Sequence, residues 1–214
     1  LTPTQKSSFH QAFDTRNQKF MDFKNSPAFH DRKKRVSMTY QYFIRDYIAC
    51  IDAIDENVGK LLNFLKQHHL EENTIVIYSS DQSYFIGEHG WAEKRWMYEE
   101  SLKMPFIIKW PAKLPKEKII EAMIQNIDHA PSLLDMTASP IPSQMQGSSF
   151  YPLILDKATP WRDRIYYHYY HHGAHNVPRH DGIRNTDYKL IHFYTDHVYE
   201  LYDCIYANSR VCDF

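Results

Sequence analysis

The chain has 214 residues, with 25 lysines and arginines against 26 aspartates and glutamates, and a formal net charge of −1. That balance leaves no electrostatic footprint for nucleic acid or an anionic membrane surface, and no apolar run approaches the roughly 18 residues of a membrane span. A hydrophobic fraction of 43% beside 24% charged residues favours a packed core over disorder.

Leu1 to Arg35 is polar and irregular, and Asp31-Arg32-Lys33-Lys34-Arg35 is its densest charge cluster. It reads as a solvated connecting segment rather than a binding patch. Leu1 to Phe23 lacks the apolar stretch of a signal peptide. Tyr40 to Gln67 is predicted to be a long amphipathic helix. Tyr40, Phe43, Ile44, Tyr47, Ile48, Ile51, Ile54, Val58, Leu61, Leu62 and Leu65 recur at steps of three and four, with charged residues between them.

After the polar turn Glu71-Glu72-Asn73 comes a continuous β-branched run, Thr74 to Tyr78, the pattern of a strand buried on both faces of a parallel sheet. It runs into Asp81-Gln82. A carboxylate and an amide at the carboxyl end of a strand are hard oxygen donors suited to Ca²⁺ or Mg²⁺, although an aspartate there also serves as a simple cap. Tyr84 to Trp96 reads as a loop over the strand ends. Phe106 to Trp110, between Pro105 and Pro111, reads as a second buried strand, and Asp128 to Met136 as a helix with Pro131 in its first turn. Strand and helix in succession predict an α/β core.

From Ser139 the character changes. Pro140, Pro142 and Gly147 mark a linker, and short aromatic runs follow: Arg164 to Tyr170, Asp181 to Arg184, Tyr188 to Tyr194 and Tyr199 to Tyr202. Asn185-Thr186-Asp187 and Thr195-Asp196 separate the last three, which predicts a small antiparallel sheet. The expected division is residues 1–150 for the core portion and 151–214 for the sheet subdomain. Tyrosines and histidines crowd into Tyr166 to Tyr206, which suits either a sugar-stacking surface or amphipathic cover for a thin sheet. Cys50 falls on the apolar helix face. Cys204 and Cys212 are able to pair in an oxidising compartment.

The block from Ser80 to Leu102 resembles the type I, formylglycine-dependent sulfatases. It carries Asp81-Gln82, Gly87-Glu88-His89-Gly90, Lys94 and Tyr98-Glu99-Glu100-Ser101-Leu102. The branch it looks most like acts on sulfated sugars of glycosaminoglycans and includes N-acetylglucosamine-6-sulfatases and iduronate-2-sulfatases. Tyr47 to Leu62, Asn126 to Asp135, His180 to Phe193 and Glu200 to Asp203 agree as well. The resemblance implies an alkaline-phosphatase-like α/β core followed by a small antiparallel β subdomain, acting on a sulfated glycan. It implies that Asp81 and Gln82 are ligands of a single divalent cation, Ca²⁺ in the first instance. Gln82 replaces the commoner asparagine, and Ser83 stands where glycine is usual. Lys94 corresponds to the lysine that contacts the sulfate, while Glu93-Lys94-Arg95 is also readable as a solvated charge run. His89 lines the pocket or caps its turn. His175, Arg179 and His180 are the candidates for sugar contact. The nearby His168, His171 and His172 raise a metal-cluster alternative, but their spacing fits no zinc pattern.

The resemblance also implies a formylglycine made in a Cys/Ser-x-Pro/Ala-x-Arg motif, and none of Cys50, Cys204 and Cys212 stands in one. The family's first-strand aspartates and the lysine–histidine pair after the nucleophile are likewise not found. The expectation is therefore the C-terminal half of a longer sulfatase, inactive alone, with the N-terminal half a candidate partner if it is made as a separate chain. Family resemblance places such enzymes outside the bacterial cytoplasm or in the lysosome. Two alternatives accompany this reading: a phosphodiester or phosphonate hydrolase of the same superfamily, and a non-catalytic relic or sugar-binding module.

Overall fold

The structure, a computed structural model, describes residues 17–171 and 175–204, together with Pro3. The chain divides into two compact units, Leu1–Gln67 and His68–Phe214. His172 and Cys212 lie outside the described residues, and with them part of the histidine cluster and of the Cys204–Cys212 pairing.

In the first unit a helical stretch over residues 17–24 and a 3-10 turn, Pro27–His30, lead into helix α1, Arg32–Gln67. The helix begins eight residues before the predicted start because Asp31 caps it. The Asp31 carboxylate accepts the Lys34 N–H at 3.1 Å, and its carbonyl accepts that of Arg35 at 2.9 Å. A cap works without apolar periodicity, so the charge cluster that reads as a connector is the first turn of the helix. Phe20 packs edge-on against Tyr42 at 5.3 Å and Phe23 against Phe29 at 5.5 Å. Ile48, Ile51, Ile54, Leu61 and Phe64 stay close to half exposed along the apolar stripe. No helix among the described residues is long and apolar enough to cross a membrane.

Among the described residues the second unit has two cores. In the first, strand β1 (Val76–Ser79) pairs with β4 (Phe106–Lys109) in antiparallel register, Ile77 opposite Ile108. This corrects the expectation of a parallel strand buried on both faces, since Tyr78 and Ile107 are exposed. The connection between them holds the short hairpin β2 (Phe85–Ile86) and β3 (Ala92–Glu93) and the one-turn helix α2 (Glu99–Leu102), with no crossover helix to carry the chain back parallel. Ile75, Phe106 and Ile108 pack on Trp110, Leu114, Met136, Phe150 and Ile154, the last three from helix α3 (His129–Met136) and from helix α4 (Tyr151–Ile154) with the residue before it.

The second core lies under a four-stranded antiparallel meander in the order β5 (Arg164–Tyr169), β6 (His180–Asn185), β7 (Tyr188–Phe193) and β8 (Val198–Asp203). These strands follow the predicted runs closely. The Asn185 side chain closes the β6–β7 turn by accepting the N–H groups of Asp187 and Tyr188. The inner face presents Ile191 and Phe193 to Phe85, Met97 and Tyr98. Glu99 on α2 meets Arg184 and the buried Lys189 of the sheet at 2.8 and 2.6 Å. Burial pushes the Glu99 carboxyl up, but the Arg184 hydrogen bond and the Lys189 charge outweigh it and hold the group below its ordinary range.

Gly182 is needed for this closeness. A Cβ there would run into the Leu190 carbonyl and the Met97 sulfur. Gly182→Ala is expected to cost about 1–3 kcal/mol, read as a lower midpoint in thermal unfolding; an unchanged midpoint would mean that the sheet does not sit this tightly on Met97.

Candidate active site

The site is built from two loops. The first follows β1. Asp81 is exposed there, and Gln82 beside it donates from its amide nitrogen to Asp81 Oδ2 at 3.3 Å. Asn126 Nδ2 donates to the Asp81 carbonyl at 3.0 Å and fixes the loop to the turn that precedes α3.

Asp128 holds that turn. Its fully buried carboxylate accepts the N–H groups of Gln125 at 2.7 Å and Ser148 at 2.9 Å. It also takes both guanidinium arms of Arg162, Nη2 reaching Oδ1 at 2.7 Å and Nη1 reaching Oδ2. Burial would raise the Asp128 carboxyl, but the Arg162 hydrogen bonds and the two backbone donors more than offset that, and the group lies below its ordinary value. The same bonds raise Arg162.

The second loop is the β2–β3 hairpin and its continuation to α2. Gly87 and Gly90 have φ of 124° and 73°, which the turn requires, and Glu88 Oε2 accepts the Ile86 N–H at 2.7 Å. The backbone is also strained at residues that are not glycine: φ is 57° at His89 inside the turn, and 93° at Glu93 and 87° at Arg95 beyond it. Such clusters persist only where the surroundings hold them, and they concentrate at functional sites. Lys94 stands between the last two. It is partly buried and forms no ion pair among the described residues. Trp91 and Trp96 stack on either side of it in sequence, ring centroids 4.5 Å apart.

Ser101 joins the loops. Its hydroxyl accepts the Arg95 N–H at 2.9 Å, and its carbonyl accepts the Ser83 N–H at 3.2 Å.

The other predicted residues divide. His89 stacks on Tyr98 at 5.4 Å and its Nε2 meets Glu100 Oε1 at 3.3 Å. His175 and Arg179 are exposed on the segment leading into β6. His180, expected on the sugar side, has no exposed surface. Its ring lies among Tyr167, Tyr169, Phe193 and Trp96, Nδ1 pairs with the Pro178 carbonyl at 2.8 Å, and Nε2 is buried without a hydrogen-bond partner. Desolvation holds this imidazole below its usual pKa and therefore neutral. Its ring contact with Trp96 brings the His175–His180 segment against the Lys94 loop. Tyr167, whose hydroxyl donates to the Arg95 carbonyl at 2.8 Å while burial pushes its pKa up to about 12, ties β5 to the same loop.

Sequence reasoning did not find Ser101, Asn126 or Asp128 as members of the site. All three fall in stretches that carry the family resemblance, Ser101 in Ser80 to Leu102 and Asn126 and Asp128 in Asn126 to Asp135.

Two family models match this chain. One, described as sulfatase, covers residues 3–139; the other, N-sulphoglucosamine sulphohydrolase, C-terminal, covers residues 87–209. The chain belongs to the sulfatase family. It is 47% identical over 176 residues to an N-acetylglucosamine-6-O-sulfatase of Bacteroides thetaiotaomicron, an alignment that takes in 80% of this chain and 32% of that protein. Among solved structures it is similar to one in complex with its substrate D-glucosamine-2-N,6-O-disulfate. The TM-score there is 0.81 at 39% identity, over 95% of this chain and 41% of that one. A phosphonate monoester hydrolase from Silicibacter pomeroyi shares the fold at 20% identity, with a TM-score of 0.70 over 80% of this chain and 36% of the other. The chain thus spans between about a third and two fifths of the length of these sulfatase relatives. Its fold is the C-terminal part of an alkaline-phosphatase-like sulfatase with a four-stranded antiparallel sheet at the end.

Sulfatases in general use a metal ion and a formylglycine. For the metal, Asp81 and Gln82 are of the right type, one carboxylate and one amide oxygen, but a Ca²⁺ ion takes about six to eight oxygens. Among the described residues no group of three or more His, Cys, Asp or Glu is placed to hold an ion. This chain therefore fits part of a coordination sphere. For the formylglycine it offers no cysteine in the required motif.

Proposed function

We propose that this chain forms the C-terminal part of the active site of a glycan sulfatase that removes sulfate from 6-O-sulfated glucosamine units. The observation that carries the reading is the joining of the Asp81-Gln82 loop to the strained Lys94 loop through one buried residue, Ser101. It is supported by the 47% identity to an N-acetylglucosamine-6-O-sulfatase.

In this reading Asp81 and Gln82 hold a divalent cation, Ca²⁺, which when bound supplies positive charge to the sulfate oxygens. Lys94 adds an ammonium aimed at the same oxygens, where charge develops as the ester bond breaks. His89, His175 and Arg179 contact the sugar, the exposed pair from the segment that enters β6. His180 supports that segment from behind, as a neutral ring in an aromatic box. The nucleophile and the remaining metal ligands come from outside this chain's residues. In this reading residues 1–150 belong to the core portion of the enzyme and 151–214 to its antiparallel sheet subdomain.

The test is hydrolysis by the native protein, purified from its source, of N-acetylglucosamine 6-sulfate, read as released sulfate, and of an aryl phosphonate monoester, read as released phenol. Faster turnover of the sulfate ester is expected. Preference for the phosphonate would move the protein to the hydrolase branch that shares its fold, and turnover of neither would leave a non-catalytic role.

A further inference from the structure

We infer that the Ser101 hydroxyl is a positioning group that aims Lys94, an inference that rests on the sulfatase reading above. Lys94 sits between two non-glycine residues of positive φ, Glu93 at 93° and Arg95 at 87°. The direction of its side chain is set by backbone conformations that would relax if released.

Three bonds hold them. The Arg95 side chain pairs with Glu93 Oε2 at 2.7 Å, the Tyr167 hydroxyl donates to the Arg95 carbonyl at 2.8 Å, and the Ser101 hydroxyl accepts the Arg95 N–H at 2.9 Å. The first lies toward solvent, with Glu93 at 61% side-chain exposure, and is therefore weak. Ser101 is 5% exposed, so its bond is protected from competing water.

The main chain of Ser101 has a second task, since its carbonyl accepts the Ser83 N–H at 3.2 Å beside the Asp81-Gln82 pair. The two tasks separate cleanly on substitution. Ser101→Ala deletes the hydroxyl and keeps the carbonyl, so it disturbs the Lys94 loop and spares the acid–amide loop. The Arg95 N–H then loses its acceptor next to a strained φ, and Lys94 is free to swing.

The test uses the native protein and a double-mutant cycle. Because a misplacement of about 1 Å can cost about 10²-fold, Ser101→Ala is expected to lower kcat about 10- to 100-fold. The half-saturating Ca²⁺ concentration is expected to stay put. In a Lys94→Ala background the same change should have almost no further effect, because the group it acts through is gone. Tyr167→Phe, which removes the bond on the other side of Arg95, should show the same signature and carries the test if Ser101→Ala does not fold. A merely structural serine would slow wild type and Lys94→Ala alike and lower the unfolding midpoint in both, which overturns the inference. So does a Ser101→Ala protein of wild-type kcat. A wild-type protein that releases no sulfate removes the sulfatase reading first, and this inference with it.

Discussion

Lys94→Ala is expected to lower kcat/KM for 6-O-sulfated glucosamine by about 10²–10³-fold, the usual loss when one preorganised donor to developing negative charge is removed. The unfolding midpoint should barely move. Lys94 is only partly buried and forms no ion pair among the described residues, so its removal strands no partner. The structure around it is held independently, by the stacked Trp91 and Trp96 and by the bonds on either side of Arg95. Steady-state kinetics beside thermal unfolding checks both halves. An unchanged kcat with an unchanged midpoint would make Lys94 part of a solvated charge run instead, and an unchanged kcat with a large loss of stability would make it a structural residue. Lys94→Arg keeps the charge but replaces a compact ammonium by a longer planar fork, and should recover only part of the rate.

Asp128→Ala is expected to carry the largest stability cost. Breaking a buried ion pair by removing one partner costs about 3–5 kcal/mol. The low end applies, since Arg162 keeps 20% of its side-chain surface exposed and can recover some hydration. The substitution also strips acceptors from the Gln125 and Ser148 N–H groups and loosens the turn that carries Asn126. A weaker hold on the Asp81 carbonyl follows, so a raised Ca²⁺ requirement should accompany the lower stability.

The pH dependence has a definite sign. The Asp128 carboxyl lies lower in the folded protein than its ordinary 3.8. A group lowered in this way adds stability above the unfolded value and loses it as pH falls through the folded one. Wild type and Asp128→Ala should therefore differ most near neutrality and converge as the pH drops below 3.8. Denaturant unfolding at pH 7 and at pH 3 measures the difference; an equal gap at both would mean that the carboxylate charge contributes nothing.

The C-terminal meander was legible because each strand is short, aromatic and bounded by residues that make turns by themselves. Asn185 does so by bonding the next backbone N–H groups. The direction of β1 against β4 was not legible. A run such as Thr74 to Tyr78 reports burial and strand length, whereas pairing direction depends on what the connection does in space. The start of α1 was misplaced because the apolar period begins only at Tyr40, although Asp31 carried the capping signal. Among the candidate residues, Asp81 and Gln82 carry a signal of their own as oxygen donors after a strand, whereas Lys94 is singled out only through the family block. The contact that Ser101 makes was not legible, because its partner is a backbone N–H exposed by positive φ at Arg95, a conformation that an arginine gives no sequence reason to expect.

The most direct measurement is a crystal structure of the native protein with Ca²⁺ and glucosamine 6-sulfate. The expected result is an ion on the Asp81 carboxylate and the Gln82 amide oxygen, with the sulfate between that ion and the Lys94 ammonium. A sulfated sugar bound elsewhere, with Lys94 in solvent and no ion at Asp81, would contradict the assignment of this site.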